Sequence, residues 1–181
     1  VRVFGHLISH GQPVYRLIEE GHVPGKNFIQ VGLRGYYPDK DSFEWMRKQG
    51  FRYHPMAEVE KRGWDAVMED VIAEAKGSPE YLFISFDVDV MDPVYTPATG
   101  TPVSGGLTPR ETFPLIRRLC AESNVVGFEI TEVLSCRDPG YITALNADQI
   151  IRECLTDLAM RKKGLTQHHY LSPLTSDDGR R

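Results

Sequence analysis

The 181-residue chain is predicted to fold as an α/β domain around a mostly parallel sheet. Three features carry that prediction: apolar runs of strand length, amphipathic runs of helical period, and their alternation along the chain. Residues 28–33, Phe28-Ile29-Gln30-Val31-Gly32-Leu33, form the first strand-like run. Trp64, Val67, Met68, Val71, Ile72 and Ala75 then recur at helical spacing, and Gly77 with Pro79 supplies the stop. The run Tyr81-Leu82-Phe83-Ile84-Ser85-Phe86 is too short for a lone helix, and it is apolar on both faces, as a central parallel strand buried on both sides should be. The next helix has a strong start, with Thr108 as N-cap, Pro109 at the first helical position and Glu111 completing a capping box before Phe113, Ile116, Leu119 and Cys120. Val125-Val126-Gly127-Phe128-Glu129-Ile130 is the third strand-like run. A last helix is expected from about Asn146 to Lys163, with Ile150, Ile151, Cys154, Leu155 and Leu158 on one face. Arg161, Lys162 and Lys163 sit at the negative end of its dipole, before Gly164. Residues 1–164 read as one unit without repeat or linker. Residues 165–181 read as a polar tail, in which 170–174 is the segment suited to docking on a neighbour.

Composition narrows the function. With 25 acidic residues against 21 Lys plus Arg and a formal charge of −4, the chain lacks the electrostatic basis for binding nucleic acid or an anionic membrane. No stretch approaches the roughly 18 consecutive apolar residues of a membrane span, and the first residues carry no secretory leader, so a cytoplasmic protein is expected. Cys120, Cys136 and Cys154 are odd in number and lack C-x-x-C spacing, which suits reduced thiols serving as small core residues. The chain begins with Val1 rather than Met, as a processed chain or a fragment would.

Ligands of open parallel sheets bind beyond the carboxyl ends of the strands. After Phe86 the chain reads Asp87-Val88-Asp89-Val90-Met91-Asp92-Pro93. Carboxylates at i and i+2 of an extended strand end point the same way, and hard divalent cations take oxygen ligands of this kind. The alternative is a solvated turn whose acids cap the next segment, and Asp92, just before Pro93, suits a turn or a supporting role. A calcium EF-hand loop starting at Asp87 fails, because its sixth and twelfth positions hold Asp92 and Ala98. A phosphoryl-transfer loop of the D-x-D-x-[TV] kind has Met91 at its fifth position and stays a minor rival. P-loop, H-E-x-x-H and G-x-S-x-G motifs do not occur.

The segment Thr96-Pro97-Ala98-Thr99-Gly100-Thr101-Pro102-Val103-Ser104-Gly105-Gly106-Leu107-Thr108 combines prolines that fix φ with glycines that admit close backbone approach. From Ser85 to Glu111 the sequence matches S-x-D-x-D-x-x-D-P followed by P-x-T-G-T-P and G-G-L-T. In this it resembles the ureohydrolase superfamily of arginases and agmatinases. The resemblance implies a three-layer α/β/α fold, of which residues 1–164 would be the C-terminal portion, with the N-terminal part of the fold missing. It implies two Mn²⁺ ions that activate a water for attack on a guanidinium carbon, giving urea and an amine. Asp87 and Asp89 fall on metal-binding aspartates of the pattern. His10, in His10-Gly11-Gln12-Pro13, falls on a histidine that relays protons, a task suited to an imidazole. Glu132, in Gly127-Phe128-Glu129-Ile130-Thr131-Glu132, falls on the acid that binds the guanidinium, and Thr101 would support that glutamate through its hydroxyl. Glu129 departs from the family's Asp. Further metal ligands are implied upstream of Val1, in G-G-D-H and D-x-H-x-D segments. His6, His22, His54, His168 and His169 match no motif and read as surface or structural groups.

Val31-Gly32-Leu33-Arg34-Gly35-Tyr36 resembles the agmatinase-type G-[IL]-R-G rather than the arginase version, in which acids after the Arg recognise the α-amino group. The resemblance therefore implies agmatine, a guanidino acid or a smaller guanidine compound rather than arginine, with Tyr36, Tyr37 and Trp45 as pocket walls or packing residues. Trimeric or hexameric assembly is implied by the resemblance alone. Two other readings stand beside the manganese amidinohydrolase: a non-catalytic member that keeps the fold for assembly or ligand binding, and a metal-dependent phosphatase-like enzyme.

Overall fold

The structure is a computed structural model that describes residues 9–36 and 38–167. Its elements are α1 (Pro13–Glu19), β1 (Ile29–Val31), α2 (Lys40–Gln49), β2 (Arg52–His54), α3 (Met56–Arg62), α4 (Trp64–Lys76), β3 (Leu82–Asp87), α5 (Pro109–Glu122), β4 (Val125–Thr131) and α6 (Ile142–Lys162). The expected α/β class with parallel strands holds. β1 pairs with β2 and β3 with β4, both in parallel, and the described residues show no pairing between the two units. Each unit is a strand, a helical crossover and a second strand, as parallel pairing demands.

One core joins the units. Val67, Val71 and Ile72 of α4, Ile84 and Phe86 of β3, Ile116 and Cys120 of α5, and Ala147, Ile150 and Cys154 of α6 are all buried in it. Ile29 and Val31 of β1 pack against the same cluster. Both strand pairs therefore pack on one cluster, to which α4, α5 and α6 contribute.

The other face differs between them. Gln30 lies opposite Tyr53 in register, and Tyr53 meets the Phe43 ring of α2 with centroids 5.8 Å apart, so β1 and β2 have helices on both sides. The double-sided burial expected for 81–86 is not found. Tyr81 and Phe83 are 62% and 59% exposed, while Ile84 and Phe86 are buried, because the described helices cover one face of β3 only.

Local chemistry accounts for the boundaries. Thr108 N–H donates to Glu111 Oε2 at 2.7 Å in the expected capping box at the start of α5. α6 starts four residues earlier than its apolar periodicity suggests. The Asp138 carboxylate accepts the Thr143 and Ala144 N–H groups at 3.0 and 2.8 Å and caps the helix from the preceding loop. β2 escapes the pattern reading because Arg52-Tyr53-His54 has no apolar run and is a strand through its pairing with β1. Cys120 and Cys154 are core thiols as expected, whereas Cys136 is exposed in the 3₁₀ turn Ser135–Arg137. No helix among the described residues is long and apolar enough to cross a membrane. His6, Tyr37, His168, His169 and the docking segment 170–174 lie outside the described residues.

Candidate active site

β3 ends at Asp87, and the chain turns at once through a 3₁₀ turn, Val88–Val90. Asp87 and Asp89 are therefore not two steps along an extended strand. The Asp89 N–H donates to Asp87 Oδ1 at 3.0 Å, and this turn, rather than strand alternation, brings the two carboxyls together. Val88 and Met91 are wholly buried and anchor the turn from beneath. Thr96 Oγ1 donates to Val88 O at 2.9 Å, and the backbones of Val90 and Asp92 bond to Leu107 at 2.9 Å each. Asp92 has the turn role expected of it. Its carboxylate accepts Val94 N–H at 3.0 Å and Gly105 N–H at 2.8 Å, and these bonds hold its pKa below the usual range.

Thr131, the last residue of β4, stands opposite Asp87, and the chain then reverses at Glu132 with φ of 62°. A left-handed conformation is costly for a residue with a side chain, and here it turns the carboxylate back toward β3. The Glu132 carboxylate comes to lie beside Gly100, where a Cβ would stand in ordinary contact with it, 3.5 Å from Oε2. Leu134 N–H donates to Ala98 O at 3.0 Å and ties the two loops together. His10 Nδ1 lies 3.7 Å from Glu132 Oε1, so residues 122 positions apart meet above the sheet.

The cluster is electrostatically tense. Asp87 has its pKa raised to about 6, chiefly by burial and then by the Asp89 and Glu132 charges, with the Asp89 N–H bond opposing. Acidic side chains gathered at one strand end present oxygen donors to a hard cation. Among the described residues, however, no group of three or more His, Cys, Asp or Glu side chains could hold a metal ion. Asp87 and Asp89 thus fit part of a divalent-cation shell, and completing it takes donors beyond the described residues.

The remaining residues singled out in the sequence divide clearly. Thr101 Oγ1 donates to Asp89 Oδ2 at 3.3 Å, so its hydroxyl is directed to the aspartate and not, as expected, to Glu132. Glu129 Oε1 accepts Ser85 Oγ at 2.8 Å on the open face of the sheet, away from the loops. Trp45 donates to Glu19 at 3.1 Å and packs on Tyr15 and Phe51, which makes it a packing residue, while Tyr36 is almost fully exposed. His22 pairs with Glu20 at the surface, and buried His54 lies between Glu58 and Glu74. Pattern reading missed Arg34. Its guanidinium bonds the carbonyls of Asp89, Met91 and Val103, and the signal in the sequence is its place in the G-[IL]-R-G motif, which speaks to substrate preference and not to a role of the arginine itself.

Comparison with known proteins bears on the same residues. The family model "Arginase family" matches residues 4–156. The chain is 35% identical over 157 residues to the mitochondrial guanidino acid hydrolase of Homo sapiens, covering 87% of this chain and 44% of that protein. It is 37% identical over 153 residues to the mitochondrial agmatinase of Gallus gallus, covering 83% and 44%. The proclavaminate amidino hydrolase from Streptomyces clavuligerus superposes with a TM-score of 0.74 at 30% identity, over 88% of this chain and 51% of that one. The chain spans about half the length of the curated relatives it matches. With a family model that runs through His10, Asp87, Asp89 and Glu132, and a backbone that superposes on a solved amidino hydrolase, the chain belongs to the arginase family.

Proposed function

We propose that the chain carries one part of the active site of a manganese-dependent amidinohydrolase, which cleaves a linear guanidino compound of the agmatine or guanidino-acid type to urea and an amine. The observation that carries this reading is the convergence of Asp87, Asp89, Glu132 and His10 at the carboxyl ends of β3 and β4. Asp87 and Asp89 would hold Mn²⁺ together with donors from elsewhere in the protein. Bound Mn²⁺ supplies a water of lowered pKa near neutral pH. Glu132 accepts paired, charge-assisted hydrogen bonds from the guanidinium and fixes its plane. His10, exposed beside Glu132, takes a proton at one imidazole nitrogen and returns it to the leaving amine as the carbon–nitrogen bond breaks.

Preference against arginine rests on Gly35 and Tyr36 following Arg34, where no acid is present to meet an α-amino group. The names of the guanidino acid hydrolase and agmatinase relatives point the same way. A second reading, a non-catalytic member of the family, draws on the incomplete ligand set among the described residues.

The test is urea release by the full protein with Mn²⁺ and agmatine, 4-guanidinobutyrate or arginine. Turnover of one of the first two at least about 10-fold above arginine is expected. Asp87→Ala should lower it by at least about 100-fold and weaken Mn²⁺ binding in calorimetry. Normal turnover by that variant removes the metal assignment, and absence of urea from every substrate favours the non-catalytic reading.

A further inference from the structure

Arg34 leaves the end of β1 and reaches across to the loops that follow β3. Its Nη2 donates to Asp89 O at 2.6 Å, Met91 O at 3.2 Å and Val103 O at 2.6 Å. Nε donates to Val103 O at 3.0 Å, and Nη1 to Gly32 O, just past the end of β1, at 3.3 Å. Every one of these acceptors is a main-chain carbonyl, and no carboxylate forms an ion pair with Arg34 among the described residues. A surface arginine would turn to water or to an acid. This one is half-buried, its pKa lowered by that burial against the pull of Asp89, Asp92 and Asp87, and it spends its planar fork on the backbone.

The placement matters because β1 and β3 share no ladder of hydrogen bonds among the described residues. The two strand pairs are joined at their carboxyl ends by Arg34 and by close contact at Gly32, where a Cβ would come within 2.4 Å of Val90 Cγ2. Val90 and the carbonyls of Asp89 and Met91 all belong to the turn that sets the directions of the Asp87 and Asp89 carboxyls. Val103 belongs to the loop that brings Thr101 to Asp89.

We infer that Arg34 is a positioning residue for the metal-binding turn: it fixes the backbone of Asp89, Met91 and Val103 from behind, so that the carboxyls of Asp87 and Asp89 face outward in a set geometry. It touches neither the substrate nor the cation. This rests on the function proposed above, and it adds that the first strand unit, to which neither Asp87 nor Asp89 belongs, controls the metal affinity of the second.

Arg34→Lys separates geometry from charge, since it keeps the cation and loses the fork. In the full protein, the variant is expected to bind Mn²⁺ about 10- to 100-fold more weakly by calorimetry. At saturating Mn²⁺ its KM for the guanidino substrate should stay within about 2-fold, and its kcat should fall. Amide exchange at residues 88–91 and 103–107 should rise about 10-fold, with α4 unchanged. A KM that rises for guanidino acids and not for agmatine would make Arg34 a substrate contact and overturn the inference. So would a folded Arg34→Lys protein with native Mn²⁺ affinity. If the unsubstituted protein does not bind Mn²⁺, the functional reading falls, and the exchange measurement still decides the positioning role. If Arg34→Lys does not fold, Gly32→Ala strains both the backbone at position 32, where φ is 88°, and the same turn through Val90, with the Arg34 side chain unchanged. It should weaken Mn²⁺ binding in the same direction, and unchanged affinity there overturns the inference.

Discussion

The two strand pairs are built from the same motif and differ in almost everything else. β1 and β2 have three residues each, include Gln30, Arg52 and His54, and carry helices on both faces. β3 and β4 have six and seven residues and are strongly apolar, yet Phe83 and Ser85 look onto an open face. All the carboxylates of the candidate site hang from the second pair. The better-covered unit thus serves as a brace, reaching the site through Arg34, and the less-covered unit holds the chemistry. Sheet burial and site construction are separate tasks here, solved by different segments.

Substitutions on β3 would test the contrast most sharply. Phe86→Ala, on the helix-covered face, should cost about 3–5 kcal/mol, whereas Phe83→Ala, on the open face, should cost less than about 1 kcal/mol, both read from urea midpoints. Equal losses would mean that the second face is covered in solution, which would erase the difference between the two pairs. The helical layer behind β3 and β4 offers a pH-dependent test. Asp157 of α6 is buried, and its pKa is raised to about 7, chiefly by burial, then by the Glu153 charge, with Arg117 opposing. The unfolded chain ionises this group near the ordinary value of about 4, so the folded state holds the extra proton between the two values. Stability should therefore fall as pH rises from about 4 to 7, by up to about 1.4 kcal/mol per pH unit from this group, and level off above. Asp157→Asn should flatten that slope in thermal melts across the range, and an unchanged slope would place the titration elsewhere. The smallest effect belongs to the crossover helix. Thr108→Ala removes the N-cap of α5 and should cost about 1 kcal/mol in chemical denaturation, with the β1–β2 unit unaffected in amide exchange.

What could be read in advance follows the same division. The β3–β4 unit is written in long apolar runs and a full capping box, so its strands and α5 were legible from periodicity. The β1–β2 unit was legible only in β1, because three polar residues become a strand solely by pairing with a distant neighbour. α1 to α3 are short or mostly polar and carry little periodic signal. At the site, the acidic pair at the end of β3 stood out for its position, but its geometry did not. The 3₁₀ turn at Val88–Val90 depends on the buried Val88 and Met91 and on a side-chain bond at Asp87, none of which a spacing rule contains. Thr101 and Arg34 find their partners across 12 to 69 residues of chain, and a loop hydroxyl or a guanidinium between two glycines does not announce its acceptor.

The left-handed backbone of Glu132 sets selection for stability against selection for the carboxylate. Glycine would occupy that conformation without the steric cost of a side chain, so a search for sturdier variants has reason to favour Glu132→Gly. The same exchange would delete the acid that faces His10 and shares the electrostatic field of Asp87. Retaining glutamate there concedes a small part of the folding free energy at every generation, and a redesign guided by thermal tolerance alone would drift away from it.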